Sequence, residues 1–199
     1  IPDSTSRFTD LFRKCGYREV YKEDTFIRET KLPLDEVILS YYEQSQKKVS
    51  LRVSKNLEDD METYMNLINE ISVEVPNMSP LFRDQLHSAI YEGKRHMIGI
   101  WIFAEVDTVP AGFIGGLVSF QKLLGKNQVV GKIINNGVLR SFRGMGIGTA
   151  LYVKMIEEMR RWNTRYILDH MVMEDNTPER MLLKELGFTE AQKHVRVEK

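Results

Sequence analysis

A chain of 199 residues, 42% of them hydrophobic, is long enough for one sizeable core with a small appendage and short for two full domains. Its 28 Lys and Arg balance 28 Asp and Glu, so no global field draws it to nucleic acid or an anionic membrane, and any binding site has to be built locally. Cys15 is the single cysteine, no His/Cys cluster has metal-ligand spacing, no run nears the roughly 18 apolar residues of a membrane span, and no signal-peptide pattern opens the chain; a metal-free protein of the reducing cytoplasm is expected.

Taken in chain order, the first feature is a repeat. Residues 11–20 (LFRKCGYREV) resemble residues 182–191 (LLKELGFTEA), each a basic helix end closed by glycine and an aromatic, at an offset of 187 − 16 = 171 residues. Any helix closed by Gly-aromatic before a strand looks like this. If the likeness is a true repeat, residues 1–46 are the tail of a preceding domain of the same kind, and with the chain opening on Ile1-Pro2 a processed or partial sequence is expected. Residues 49–53 read as a strand. Asn56 is a candidate N-cap, with Glu58, Asp59 and Asp60 in a first helical turn and Met61, Met65, Ile68 and Ile71 at helical spacing. Pro76 and Pro80 break that pattern before a second helix at 81–91. Segments 98–106, 111–120 and 128–139, rich in Val, Ile and Phe and separated by turn residues, predict an antiparallel meander. Ile147, Leu151, Met155, Met159 and Trp162 form the apolar stripe of an amphipathic helix. A strand at 166–173, a helix opened by Asn176-Thr177-Pro178 and closed by Gly187, and a short strand at 195–197 complete an α/β chain: a mixed, mostly antiparallel sheet flanked by helices.

Chemistry concentrates between the third meander strand and the amphipathic helix, in Arg143-Gly144-Met145-Gly146-Ile147-Gly148. Glycines let an anion approach the backbone, the first N–H groups of the following helix lack internal partners, the helix dipole adds about half a positive charge, and Arg143 adds a forked contact. Neither the Walker ending Gly-Lys-Ser/Thr nor the dinucleotide spacing GxGxxG is present, although a nucleotide remains a rival ligand for such a turn.

This loop, with Val138 five residues ahead, resembles the Arg/Gln-x-x-Gly-x-Gly/Ala motif of the GNAT acetyltransferases. Asn176-Thr177-Pro178-Glu179 through Leu186-Gly187-Phe188 resembles that family's second motif, and the likeness spans residues 47–199. The resemblance implies acetyl-CoA as cosubstrate. Val138, Leu139 and Arg140 would line the pantetheine arm, Arg143, Gly144, Met145, Gly146, Ile147, Gly148 and Thr149 would hold the diphosphate, and Asn176 would lie beside the arm unless it is a plain helix cap. It implies a sheet splayed at that site, and an acetyl group passed to a primary amine of a small molecule or peptide by direct attack.

An amine of pKa near 10.4 is neutral in only about one molecule in 2,500 at pH 7, so a positioned base matters. The family's usual glutamate is missing from 128–139, where Lys132 stands in its place, and Leu183 occupies the position of its usual tyrosine acid. Substitutes are His170 or Glu105 as base, Asn135 and Asn136 orienting a water, and Tyr152 as acid; packing or solvent contact is the bland role of each. The acids Glu58, Asp59, Asp60, Glu62, Glu70 and Glu74 would suit a cationic acceptor or make a solvated face. The alternative to an enzyme is a degenerate GNAT-like domain that binds CoA as a sensor or scaffold. A homodimer stays open.

Overall fold

A computed structural model of the chain describes residues 13–74 and 97–198. The helix expected at 81–91, and residues 11–12 of the N-terminal repeat, lie outside the described residues. The elements are β1 (Arg18–Glu29), α1 (Glu36–Ser45), β2 (Ser50–Val53), α2 (Met61–Ser72), β3 (Met97–Val106), β4 (Val109–Leu123), β5 (Lys126–Val138), a 3-10 turn (Arg140–Phe142), α3 (Ile147–Arg161), β6 (Tyr166–Met173), α4 (Thr177–Glu185) and β7 (Thr189–Glu198).

The meander is joined more tightly than its turn residues suggest. Asp107 and Thr108 (φ 49° and 67°), then Leu124 and Gly125 (φ 51° and 77°), each form a two-residue connection with both residues left-handed, the turn whose twist suits a hairpin. Val109 and Pro110 therefore belong to β4, and Pro110 sits opposite Glu105 where the register slips. On α2 the helix starts at Met61, later than Asn56 predicts, because Asn56 Oδ1 accepts from the Glu58 amide in a turn that precedes it.

Among the described residues seven strands form one sheet in the order β2-β3-β4-β5-β6-β1-β7, antiparallel except for β5 and β6. That parallel pair requires a crossover, and α3 supplies it. Alternation along β3 sends Ile100, Ile102 and Ala104 to the face covered by α1 and α3, and Trp101 and Phe103 to the face covered by α2. Ile147, Leu151, Met155 and Met159 pack as the stripe predicts; Trp162 does not, since it caps the helix at 47% exposure.

The N-terminal segment is woven into this sheet. β1 lies between β6 and β7, bonded to both, and α1 adds Ile38 and Tyr42 to the α3-side core, so residues 18–45 share one sheet and one core with the rest. Arg28, only 1% exposed, fastens this arrangement: its guanidinium donates to the carbonyls of Leu186 at the end of α4 (2.6 Å), Glu29 (2.9 Å), Leu32 (2.6 Å) and Pro33 (3.1 Å). Burial, and then the nearby Arg160, lower its pKa to about 10.

Candidate active site

β5 and β6 part company halfway along. Their shared pairs run from Val130↔Tyr166 to Ile133↔Asp169 and stop. β5 continues to Val138 against β4, and β6 continues to Met173 against β1. One residue past the last shared pair, each strand bulges against its other neighbour. Ile134 is extra between Gly116↔Ile133 and Gly115↔Asn135, and β6 has one residue more than β1 between Phe26↔Asp169 and Asp24↔Val172. Bulges bend a strand and re-aim its side chains, so two bent strands leave a V whose crotch is at Ile133 and Asp169.

The glycine-rich loop follows the end of β5. Gly144 and Gly146 have φ of +81° and +77°, a region costly for other residues, whereas Gly148 is already helical. Gly146 is the N-cap of α3 and no side chain caps it, so the amides that open the helix keep their donors while Ala150 N–H begins the internal ladder. No Cβ or neighbouring atom lies within 4 Å of where a side chain on Gly144 would sit. A diphosphate fits a cradle of uncapped amides on open glycine backbone. Arg143 is half exposed, with Nε donating to Val138 O (3.2 Å) and Nη2 paired with Glu74 at 2.7 Å. The other expected coenzyme contacts divide by chemistry. Leu139 and Ile147 bury their side chains, Met145 packs on the core, and the Leu139 amide donates to Ala111 O. Arg140 is exposed, Thr149 is half-buried, and Asn176 caps α4, its Oδ1 accepting from Glu179 N–H and its Nδ2 donating to Glu179 Oε2 at 2.6 Å.

On the α3 side of the V, polar groups from four elements meet. The Tyr152 hydroxyl lies 2.6 Å from Asp169 Oδ2 and 2.8 Å from Glu179 Oε1, and Asn136 Nδ2 donates to both Tyr152 (3.0 Å) and Glu179 (2.8 Å). A hydroxyl carries one proton, so it cannot donate to two carboxylates; the second short contact requires a carboxyl proton. Burial, then the charge of Glu179, hold the Asp169 pKa well above its usual range and place that proton there. Burial and both carboxylates likewise raise Tyr152. Asp169 and Glu179 escaped the sequence reading, although an aspartate inside an otherwise apolar strand is a signal that could have found the first.

The opposite face of β6 carries His170. Thr25 Oγ1 of β1 lies 3.1 Å from His170 Nδ1 and 3.0 Å from His194 Nε2 of β7. His170 Nε2 is buried with no hydrogen-bond partner among the described residues. Burial, then Lys132, then His194 lower the His170 pKa. Nearby, Asn135 Nδ2 donates to the Tyr64 hydroxyl, which is buried among Trp101 and Phe113; Asn135 Oδ1 is buried with no hydrogen-bond partner among the described residues.

Glu105, the other candidate base, does not reach the V. β4 separates β3 from β5, and the Glu105 carboxylate accepts from Arg52 Nε at 3.3 Å. Arg52 also holds Asp60 at 2.8 Å and keeps its carboxyl below the usual range. Asp59, Glu62 and Glu70 are exposed, the solvated face.

This α/β sheet, splayed beside a glycine-opened and uncapped helix N-terminus, has the architecture expected of an acyltransferase fold, and comparison agrees. The model of the Acetyltransferase (GNAT) family matches residues 61–188. The chain belongs to the GNAT acetyltransferase family. No curated protein shows significant sequence similarity to it. Among solved structures it is similar to a GCN5-related N-acetyltransferase from Sphaerobacter thermophilus, 20% identical over 100% of this chain and 57% of that one, TM-score 0.66. It is similar to a tandem GNAT protein from the clavulanic acid biosynthesis pathway, 15% identical over 96% of this chain and 57% of that one, TM-score 0.64. It also matches the aminoglycoside N-acetyltransferase AAC(6')-Iy in complex with CoA, 18% identical over 76% of this chain and 94% of that one, TM-score 0.56. The chain thus spans little more than half the length of the first two. Among the described residues no helix is long and apolar enough to cross a membrane.

Proposed function

We propose that the chain transfers an acetyl group from acetyl-CoA to a primary amine of a small molecule or peptide, by direct attack in the V between β5 and β6. The observation that carries this is the parting of the parallel pair beside an uncapped, glycine-opened helix N-terminus. Arg143 and the amides of residues 144–149 hold the diphosphate, and the backbone of Val138 and Arg140 guides the pantetheine arm, which supplies the activated acetyl as a thioester. Asn176 serves first as the α4 cap, leaving its exposed edge for the arm.

The two faces of β6 then divide the proton work. His170 Nε2 takes a proton from the acceptor ammonium, its lowered pKa keeping it neutral near pH 7. Tyr152 gives its hydroxyl proton to the departing sulfur and is refilled from the protonated Asp169 carboxyl. Glu105 is left out of this scheme.

Thiol release from acetyl-CoA with a panel of primary amines tests the reading. Aminoglycosides belong in the panel, since a structural neighbour acts on them. Turnover with at least one amine supports it. CoA binding with no turnover above background would replace it by the sensor reading, and displacement of CoA by ATP would replace the ligand. We place the protein in the cytoplasm, with homodimer formation to be tested by light scattering.

The N-terminal segment reads as the tail of a preceding module of the same kind. Gly16 and Gly187 share φ of +84° and +82°, and β1 and β7 each begin two residues later. The two strands pair Arg18↔Glu198 and Ile27↔Thr189. Subtracting the offset of 171 turns 198 into 27 and 189 into 18, so the pairing maps onto itself with the copies exchanged.

A further inference from the structure

The weave of β1 between β6 and β7 does more than complete the sheet. It sets one hydroxyl, Thr25, between two imidazoles on the face of β6 opposite Tyr152. We propose that His170, Thr25 and His194 form a proton relay that fixes the His170 tautomer with a bare Nε2 and carries the acceptor's proton across three strands to β7. The proposal rests on the reading of His170 as base and adds the two residues that act through it.

The orientation follows from counting donors. Thr25 has one hydroxyl proton, so it donates to one imidazole and accepts from the other. His170 Nε2 is buried and lacks a partner among the described residues. A buried N–H without an acceptor is rarer in native proteins than an acceptor without a donor, which puts the lone pair on Nε2 and the proton on Nδ1. His170 Nδ1–H then donates to Thr25 Oγ1, and the Thr25 hydroxyl donates to His194 Nε2. Thr25 is 4% exposed, so water does not compete for these contacts, whereas His194 is half-buried on the edge strand and can exchange protons with solvent.

The step balances without a further reactant. The bond from nitrogen to hydrogen in the acceptor ammonium breaks as His170 Nε2 gains that proton. The Nδ1 proton of His170 passes to Thr25 Oγ1, the former Thr25 proton passes to His194 Nε2, and the resulting His194 cation releases its Nδ1 proton to water. After the product leaves, the path runs in reverse: His194 takes a proton from water at Nδ1, its Nε2 proton returns through the rotated Thr25 hydroxyl to His170 Nδ1, and His170 Nε2 gives its proton to water in the emptied V, which restores the starting state. Charged or titratable groups on this face, from each strand packed here, are Lys132 of β5, Glu23 of β1 opposite His194, Tyr166 of β6 with Glu29 of β1, which accepts from its hydroxyl at 3.4 Å, and the two histidines themselves. Lys132 disfavours a lasting charge on His170 and so favours passing the proton on.

The deciding experiment is long-range ¹H–¹⁵N NMR of the ¹⁵N-labelled chain at neutral pH, which reads the tautomer without any substrate. The wild type is expected to show neutral His170 protonated at Nδ1, Thr25→Val to shift it to the Nε2–H form, and Thr25→Ser to restore it. A wild-type His170 protonated at Nε2, or a tautomer unmoved in a folded Thr25→Val protein, overturns the relay. With an amine that supports turnover, Thr25→Val and His194→Phe should each lower kcat about tenfold, move the acid limb of the pH profile and leave KM for acetyl-CoA unchanged. If His170→Gln is inactive while Thr25→Val keeps the wild-type profile, the relay falls and the base stands. If His170→Gln keeps full turnover, the base reading falls and takes the relay's cargo with it.

Discussion

The two sides of the V are built in different ways. On one side β2, β3, β4 and β5 follow one another along the chain, with α2 falling between β2 and β3, and two-residue turns join the last three. On the other, β6 and β7 never touch: β1, drawn from the opposite end of the chain, separates them. The first side carries its chemistry in backbone, as glycine amides at the end of a hairpin. The second carries it in side chains that only long-range pairing brings together, Thr25 lying 145 residues from His170 and 169 from His194. In the proposed reading local chain segments would suffice to hold a phosphate, whereas aligning a base and its proton path would take a distant strand.

The sharpest way to break that contrast is to weaken one strand on each side. Phe26 is fully buried in β1, and Arg180 of α4 stacks on its ring. Phe26→Ala should cost about 3–5 kcal/mol, while Leu51→Ala in the half-buried edge strand β2 should cost less than half as much. Chemical denaturation of both variants checks this; equal losses would mean that β1 is no more central than the edge.

Next in size is the cradle. Arg143→Ala should weaken CoA binding by roughly tenfold, in keeping with about 1.5 kcal/mol for a charge-assisted hydrogen bond. Glu74→Gln, which frees the same guanidinium, should leave binding equal or tighter, as titration calorimetry would show. Unchanged affinity in Arg143→Ala would remove that guanidinium from the diphosphate site.

The same contrast explains what could be read from sequence. The glycine loop, the meander and the Asn176 helix were legible because their signals are local: turn residues, apolar period, a cap. β1 was not, because seven of its twelve residues are charged. Its amphipathy makes sense only once Asp24 is paired with Arg180, and Arg28 with the carbonyls around Leu186. His170 and Tyr152 could be nominated as residue types, and Asp169 as the carboxylate in a largely apolar strand, but Thr25 could not, since its partners lie on other elements. Glu105 was misplaced for the same reason: its strand end was predicted well, but nothing local announced Arg52.

A smaller effect separates the two faces of β6. Asp169 has a raised folded pKa, so between the ordinary aspartate value near 3.9 and that raised value the native state binds the extra proton. Stability therefore falls as pH rises through that window. Asp169→Asn, whose amide N–H can donate to the Tyr152 hydroxyl in place of the carboxyl proton at any pH, should melt higher than wild type at neutral pH, the advantage disappearing toward pH 4. A melting-temperature series against pH checks it, and a lower melting point at pH 7 would mean that Asp169 is ionised in the folded protein.

His170 runs the other way, and its effect should be the smallest because the group is only half-buried. Its folded pKa lies below the ordinary histidine value near 6.5, owing to burial, then Lys132, then His194. Below about pH 6.5 the unfolded chain therefore takes up the proton first, and stability is lost as pH falls through the window down to the folded value. His170→Gln cannot titrate, so its stability curve should be flatter than wild type as pH falls below about 6.5, while the two coincide in slope above pH 7. Lys132→Met should flatten the wild-type curve in part, by relieving the repulsion from β5 and leaving burial and His194 in place. If Lys132→Met leaves the curve unaltered, that repulsion does not reach across the crotch of the V, and the two strands interact only where they are paired.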